Sequence, residues 1–269
     1  MSTKFQNLEL EIQGQVATVW LNRPAVRNAL DEVLISEITQ AINQLERDDA
    51  VRVMILAGRG KVFCAGADLN WMKRMAGYSA EQNQTDAMGL ATMLKTLKQM
   101  TKPTIARVHG AAFAGGMGLA SACDVVVAEP TAEFCLSEVR IGLIPATISP
   151  YVIQGLGIQA AKRYMLTAER ISAKEAHRLG FVQELCEDGV IDAAIAQISQ
   201  ALIAGGPIAL AQTKALMATV VNRCLDDELI SATAGLIAKV RASGEGREGV
   251  SSFLEKRKPA WVTSTSLMQ

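Results

Sequence analysis

Residues 104–127 read TIARVHGAAFAGGMGLASACDVVV, and this stretch decides the fold class. Its two ends, Thr104 to Val108 and Asp124 to Val127, have the composition of short buried strands. The glycine-rich segment between them has room for only about two helical turns. A dinucleotide-binding crossover needs about 30 residues, so the run Gly116-x-Gly118-x-x-Ser121 matches that class of site poorly. The stretch therefore predicts strands joined by an unusually short helix.

Two glycine-containing loops each follow a strand candidate and lead toward a helix. They are residues 63–68 (FCAGAD) and residues 110–118 (GAAFAGGMG). Backbone N–H groups at such turns and helix starts are free of partners, and small side chains allow close approach. Two such donors would form an oxyanion hole. The alternative is that the glycines serve only tight turns and close packing.

The remaining pattern predicts an α/β body followed by helices. A hairpin is predicted over residues 7–21, a strand over 51–57 and helices after Asp31, over 80–100 and after the Ser172/Glu175 capping pair. From about residue 190 onward, apolar residues recur at helical distances with little strand signal. We place the boundary between residues 1–195, the body, and residues 196–269, the helical appendage.

Composition excludes several classes of protein. The chain has 269 residues, with 27 Lys plus Arg against 27 Asp plus Glu, so no net charge indicates nucleic acid or an anionic membrane as partner. Five widely spaced cysteines without a CxxC pair suggest neither a disulfide framework nor a zinc site, and a reducing cytoplasm fits best. The most apolar region, residues 108–128, is interrupted by polar residues and is not expected to span a membrane.

Glu138 is the most suggestive carboxylate, because its neighbours in FCLSEVRIGLIP (residues 134–145) are mostly apolar. Burial raises the pKa of a carboxyl group toward the range useful for general acid/base catalysis. Pairing with Arg140 would counteract that effect. A surface or salt-bridged glutamate at a strand end is the equally weighted alternative.

Taken together, these segments resemble the crotonase family, the enoyl-CoA hydratase/isomerase superfamily. The resemblance covers essentially the whole chain and includes Leu21-Asn22-Arg23-Pro24, Arg27-Asn28-Ala29-Leu30, Ala122-Cys123-Asp124 and residues 134–145. It implies a spiral of ββα units that carries the site, followed by C-terminal helices that build trimers, usually paired into hexamers. This homo-oligomer fits the predicted body and appendage.

The resemblance also implies site residues. In the family, two backbone N–H groups hold the thioester carbonyl of an acyl-CoA, and here they fall on Ala67 and Gly115. The substrate is a coenzyme A thioester, and no separate cofactor or metal is implied. Asp68 is expected to cap or brace its loop, and Lys256, in the cluster Lys256-Arg257-Lys258, to contact the CoA phosphates. The remaining residues expected along CoA lie in two segments, residues 23–28 and the loop of residues 65–69: Arg23, Arg27, Asn28, Ala65, Gly66 and Leu69.

The chain departs from the family at Gly118. Hydratases of the family commonly use two glutamates, of which Glu138 matches one and Gly118 stands in place of the other. A single carboxylate suffices for an enoyl-CoA isomerase. The details of residues 63–72 and 134–150 nevertheless look most like bacterial hydratases of 3-methylglutaconyl-CoA or isohexenylglutaconyl-CoA, which belong to leucine and acyclic-terpene breakdown. The substrate's own carboxylate, held by Arg140 or Lys73, would then order the water.

A protein of this fold without catalytic activity is a rival from another class. It would bind acyl-CoA or associate with RNA. The neutral net charge and the lack of a basic aromatic stripe argue against RNA.

Overall fold

Two sheets organise the molecule, and the computed structural model describes residues 5–262 of the chain. The strands are β1 (Leu8–Gln13), β2 (Val16–Leu21), β3 (Val53–Gly58), β4 (Thr104–Val108), β5 (Ala111–Phe113), β6 (Val125–Ala128), β7 (Glu133–Cys135), β8 (Ile171–Ser172) and β9 (Glu184–Leu185). The large sheet has the order β1-β2-β3-β4-β6-β9 and the small sheet the order β5-β7-β8. Of the strand pairs in the described chain, β1–β2 and β7–β8 are antiparallel and the other five are parallel. The structure is thus the mixed α/β fold that the sequence predicts.

Helices connect the strands and form the C-terminal region. They are α1 (Glu32–Glu46), α2 (Leu69–Met75), α3 (Ala80–Gln99), α4 (Gly115–Ala122), α5 (Ser149–Leu156), α6 (Ile158–Thr167), α7 (Ala173–Arg178), α8 (Ile191–Ala204), α9 (Pro207–Val220), α10 (Asp227–Ala242) and α11 (Gly244–Leu254). The eight-residue α4 is the short helix predicted between β4 and β6.

Local sequence signals explain the first elements. Gly14 adopts φ +57° at the hairpin turn, a conformation that glycine reaches without strain. The carboxylate of Asp31 accepts a hydrogen bond from the amide of Leu34 at 2.8 Å and so caps α1. One face of α1 is apolar and buried: Leu34, Ile38, Ile42 and Leu45. The hairpin and this helix are therefore confirmed.

The two faces of the large sheet bury different clusters. In β3, Met54 and Leu56 face the main core beneath α1 and α3, whereas Val53 and Ile55 belong to a second cluster beneath α8. Ile195 and Ile203 of α8 are buried in that second cluster. Because α8 packs on the sheet on both sides of residue 195, the predicted division at that residue falls inside a helix.

Helices α9, α10 and α11 leave large apolar side chains exposed. In α11, Phe253 is 81% exposed and Leu254 74%, and no residue of α9 is buried. Leu225, in the loop between α9 and α10, is 83% exposed. Within residues 5–262, no single helix has the length and apolar character needed to cross a membrane. Among the described helices, only α8 and α9 taken together, which meet at 102°, reach that length and composition.

Candidate active site

The two glycine loops lie side by side because one of them pairs with β5. The Cys64 amide donates to the Ala111 carbonyl and the Phe113 amide donates to the Cys64 carbonyl, both at 3.0 Å. This short parallel bridge brings residues 64–67 against the start of α4. The structure therefore brings together the two loops that the sequence singles out.

The amides of Ala67 and Gly115 have no acceptor within residues 5–262. Leu30 donates to the Gly66 carbonyl at 2.7 Å and accepts from the Asp68 amide at 2.8 Å, so the intervening Ala67 N–H faces away from that bridge. Gly115 is the first residue of α4, and the Ala114 side chain before it cannot cap the helix. Both amides are free donors, as the predicted oxyanion hole requires.

Close approach of the loops explains their small residues. A Cβ on Gly116 would lie 2.4 Å from the Cys64 carbonyl oxygen, and a Cβ on Gly115 would lie 2.7 Å from Leu30 Cδ1. Gly66 adopts φ +102°, a region that favours glycine. A larger side chain at Gly115 or Gly116 would therefore collide with Leu30 or with the Cys64 backbone.

Ala114 is strained, and the sequence reasoning did not single it out. Its φ of +47° and ψ of −116° are rare for a residue with a Cβ. Two hydrogen bonds hold it: its amide donates to the Cys135 carbonyl at 2.8 Å and its carbonyl accepts from the Gly118 amide at 3.0 Å. This turn sets the direction of the adjacent Gly115 amide and ties it to β7.

Glu138 follows β7 by three residues and begins the 3-10 turn Glu138–Ile141. Its carbonyl accepts from the Leu143 amide at 3.1 Å, and Gly142 closes the turn at φ +75°. Its Oε2 is buried and has no hydrogen-bond partner in the described chain. Burial raises the pKa of Glu138 above its usual value.

Arg140 does not neutralise Glu138. Its guanidinium instead donates to the Ala168 carbonyl at 2.7 Å, at the end of α6. The salt-bridged alternative is therefore not what the structure shows between these two residues. A buried oxygen without a partner favours a carboxyl group that exchanges a proton.

Gly118 lies one helical turn after Gly115 and is covered by Ile148. A Cβ at Gly118 would come within 2.3 Å of Ile148 Cγ2. Ile148 is only 2% exposed and belongs to the main core. A hydrocarbon group thus fills the space that a side chain at position 118 would enter, and no sequence pattern indicated this partner.

Several residues expected along CoA instead brace the loops. Asn28 is fully buried; its side-chain oxygen accepts from the Arg23 amide and its nitrogen donates to the carbonyls of Arg59 and Val62. Arg23 forms ion pairs with Asp31 at 2.8 Å and with Asp68 at 3.1 Å. These side chains hold the backbone of the loops that carry the free amides.

Asp68 caps α2, and other residues of its loop are accessible. Its carboxylate accepts from the amides of Asn70 and Trp71, which with the Arg23 contact lowers the pKa of Asp68 despite the opposing effect of burial. Leu69 is 73% exposed, and Arg27 is exposed beside Ala65, whose amide donates to the Arg27 carbonyl at 3.0 Å. Arg27 and Leu69 are therefore available to a bound thioester.

The C-terminal basic cluster lies elsewhere in the chain. Lys256 follows α11, which packs against α9 and α10. Arg257 pairs with Glu248 at 2.6 Å and Glu255 at 2.7 Å, and its guanidinium lowers the pKa of Glu248 to about 2. Within residues 5–262, no hydrogen bond or ion pair joins Lys256 to the glycine loops. The described residues also contain no group of three or more His, Cys, Asp or Glu side chains that could hold a metal.

The chain was compared with protein families, and one family matches it. Residues 11–264 match the family model described as Enoyl-CoA hydratase/isomerase. Because that match spans most of the chain, the protein belongs to the enoyl-CoA hydratase/isomerase family.

Individual relatives resemble the chain over nearly its whole length. The crystal structure of an enoyl-CoA hydratase from Shewanella pealeana superposes with a TM-score of 0.93 at 41% identity, covering 96% of this chain and 97% of that one. A Thermus thermophilus protein provisionally named an enoyl-CoA hydratase is 37% identical over 92% of this chain and 97% of its own. The crotonyl-CoA hydratase of Syntrophomonas wolfei is 31% identical over 96% of this chain and 99% of its own.

Proposed function

We propose that this protein is an enoyl-CoA hydratase in which Glu138 is the acid/base carboxyl group. The observation that carries the proposal is the buried, unpartnered Oε2 of Glu138, on a turn that follows the strand bonded to Ala114. The names of the relatives support hydration as the reaction. An inert acyl-CoA binder would have no use for a buried carboxyl group without a partner, whose desolvation is costly.

The two free amides and Glu138 divide the work of hydration between them. The N–H groups of Ala67 and Gly115 donate to the thioester oxygen, where negative charge develops as water adds to Cβ. The electron pair of the double bond moves to form the enolate, and protonated Glu138 delivers its proton to Cα. Burial favours this protonated form because it raises the pKa of Glu138. The proton lost by the water returns to Glu138 and completes the cycle.

We further propose a branched glutaconyl-CoA substrate, 3-methylglutaconyl-CoA or its isohexenyl analogue. Ile148 fills the space beside Gly118, so no side chain at that position orders the attacking water; the substrate's distal carboxylate takes over that ordering, while the water's proton passes to Glu138. Of the two cations considered for holding that carboxylate, Arg140 is bonded to Ala168, whereas Lys73 is exposed on α2 directly after the Ala67 loop. Lys73 is therefore the better candidate.

Double-bond isomerisation is the second candidate, because a single carboxyl group can carry a proton between Cα and Cγ. The covered Gly118 is the observation that favours it. The relatives named as hydratases favour hydration instead. Both reactions use Ala67, Gly115 and Glu138 in the same roles.

The proposal extends to assembly and location. The exposed apolar side chains of α9–α11 support a homo-oligomer, a trimer or a pair of trimers, in which Lys256 of a neighbouring copy could reach CoA. We expect the enzyme to act in the cytoplasm.

Incubation with crotonyl-CoA, a 3-enoyl-CoA and 3-methylglutaconyl-CoA separates the possibilities. We expect hydration of the glutaconyl thioester, with kcat/KM exceeding that for crotonyl-CoA by up to about 10² to 10⁴, the usual contribution of one acid/base group. Equal kcat/KM values would contradict the branched-substrate proposal. Migration of the double bond without hydration would establish the isomerase, and binding without turnover would establish an inert protein.

A further inference from the structure

The turn that carries Glu138 has no side chain buried in the core. No residue of the 3-10 turn Glu138–Ile141 is buried, and residues 141–144 are all exposed. Hydrogen bonds fix the shape of the turn: the Arg140 amide donates to the Ser137 carbonyl and the Leu143 amide to the Glu138 carbonyl, both at 3.1 Å. These local bonds do not fix where the turn lies relative to the rest of the site.

Arg140 connects the turn to the rest of the fold. Its Nη2 donates to the Ala168 carbonyl at 2.7 Å. Within residues 5–262, this is the one hydrogen bond that joins residues 138–144 to another helix or strand. Ala168 ends α6, and carbonyls at the end of a helix carry partial negative charge, so a guanidinium is a strong donor to them.

Ala168 is held firmly in place. It is fully buried, and the Cys135 thiol donates to the same carbonyl at 3.5 Å. Two residues further on, Arg170 pairs with Glu133 of β7 at 2.9 Å. The strand β8 then begins at Ile171 and pairs with β7. These contacts hold Ala168 against β7.

The same strand also positions the oxyanion loop. The Cys135 carbonyl accepts from the amide of Ala114, the strained residue that directs the Gly115 amide. Arg140 thus ties the acid/base side of the site to β7, and Ala114 ties the oxyanion side to the same strand. The distance between the two sides matters because a displacement of about 1 Å can lower a rate by about a hundredfold.

We propose that Arg140 is a positioning residue for Glu138. Its guanidinium, fixed on the Ala168 carbonyl, keeps the Glu138 carboxyl group in register with the amides of Ala67 and Gly115. In this role Arg140 does not touch the thioester, so the role differs from that of a clamp for the substrate's distal carboxylate. The inference rests on the proposed function of Glu138.

Steady-state kinetics with two substrates tests this role. Arg140→Met keeps the length of the side chain but loses the donor, and we expect kcat to fall by about 10- to 100-fold for crotonyl-CoA and 3-methylglutaconyl-CoA alike, with KM nearly unchanged. Arg140→Lys keeps a cationic donor and should lose less. Arg163→Met removes an exposed arginine of α6 that pairs with Glu169, and it should keep full activity. An unchanged kcat in Arg140→Met, or a rise in KM confined to the glutaconyl thioester, would overturn the proposal.

A double variant separates positioning of Glu138 from general support of the site. If Arg140 acts only through Glu138, Arg140→Met should lower kcat no further in a Glu138→Gln background. A second fall of the same size in that background would show that Arg140 supports the site as a whole, and the positioning role would be wrong. Circular dichroism verifies that each variant is folded.

The single variant Glu138→Gln keeps the two proposals apart. If it retains kcat, the proposed function fails and the role of Arg140 fails with it. If Glu138→Gln loses kcat while Arg140→Met does not, the proposed function stands and only the positioning role is wrong.

Discussion

Ile148 Cγ2 lies where a side chain at Gly118 would begin, 2.3 Å from the position of its Cβ. Real Cβ atoms do not approach a methyl group so closely. A side chain at position 118 and the Ile148 side chain therefore cannot both occupy this space. The contact joins α4, which starts at Gly115, to the start of α5. It determines that the wall of the site next to the oxyanion loops is hydrocarbon.

This contact predicts that the effect of Gly118→Ala on the free energy of unfolding changes sign when Ile148 is truncated. Gly118→Ala should destabilise the protein by about 1 to 3 kcal/mol, because overpacking outweighs the helix propensity gained. In an Ile148→Ala background the same change should stabilise, since the space is then empty. Gly235→Ala, in α10 with no atom within 4 Å of its Cβ, is the control and should stabilise in both backgrounds. Urea unfolding measures each free energy, and additive values would show that the two sites are uncoupled.

Loss of the Gly115 amide should abolish most of the activity. Gly115→Pro removes one donor to the thioester oxygen, and we expect kcat to fall at least about a hundredfold. Gly244→Pro is the matched control, because Gly244 is also the first residue of a helix, and its Cβ would meet no atom within 4 Å. Circular dichroism verifies folding of both variants. A folded Gly115→Pro enzyme with full activity would place the oxyanion donors elsewhere.

Glu138 predicts a pH-dependent stability difference. Its pKa is raised in the folded protein, so folding favours the protonated carboxyl, and this contribution is lost as pH rises from the ordinary value of 4.5 through the raised value. Gln is neutral throughout. Glu138→Gln should therefore melt above the wild type near pH 8, with the gap closing toward about pH 4. Exposed Glu187→Gln controls for the lost charge. A Tm difference that does not change with pH would show that burial of the charged form costs nothing here.

The apolar faces of α9–α11 predict a stable assembly. Phe253 of α11 and Leu225, in the loop between α9 and α10, are each more than 80% exposed in one chain, and we expect them to be buried against a second copy. Light scattering should give about three or six times the chain mass of 28.8 kDa. A monodisperse species of 28.8 kDa would contradict this expectation.

The elements that could be predicted from the sequence are those whose turn, capping or apolar signal lies within the element itself. The hairpin, α1 and the capped α7 each carry their signal within a dozen or so residues, as turn glycine, capping side chain or apolar period. The helix over residues 80–100 was also predicted, but its first half, including Ala87, is largely exposed because only the second half of α3 meets the core. The strands β5, β7, β8 and β9 have two or three residues each, too few for a periodic pattern, and are defined by their partners.

The residues of the candidate site also fall into two groups, those that the sequence indicates and those that only the folded structure shows. Glycines and an apolar-flanked Glu138 are visible in the sequence, whereas their meeting depends on the bridge between Cys64 and Ala112, which are far apart in the chain. Ile148 and the strained Ala114 carry no local signature that sets them apart. The bracing roles of Arg23 and Asn28 likewise depend on contacts with distant loops.

Turnover by Glu138→Gln tests the central claim most directly. The amide keeps the shape of the side chain but cannot exchange a proton, so we expect kcat for hydration of 3-methylglutaconyl-CoA to fall by about 10² to 10⁴ while the Kd for the thioester stays nearly constant. Glu133→Gln, on β7 and paired with Arg170 at 2.9 Å, should keep its activity. Retention of kcat in Glu138→Gln, with a change confined to KM, would remove Glu138 from the reaction and contradict the account.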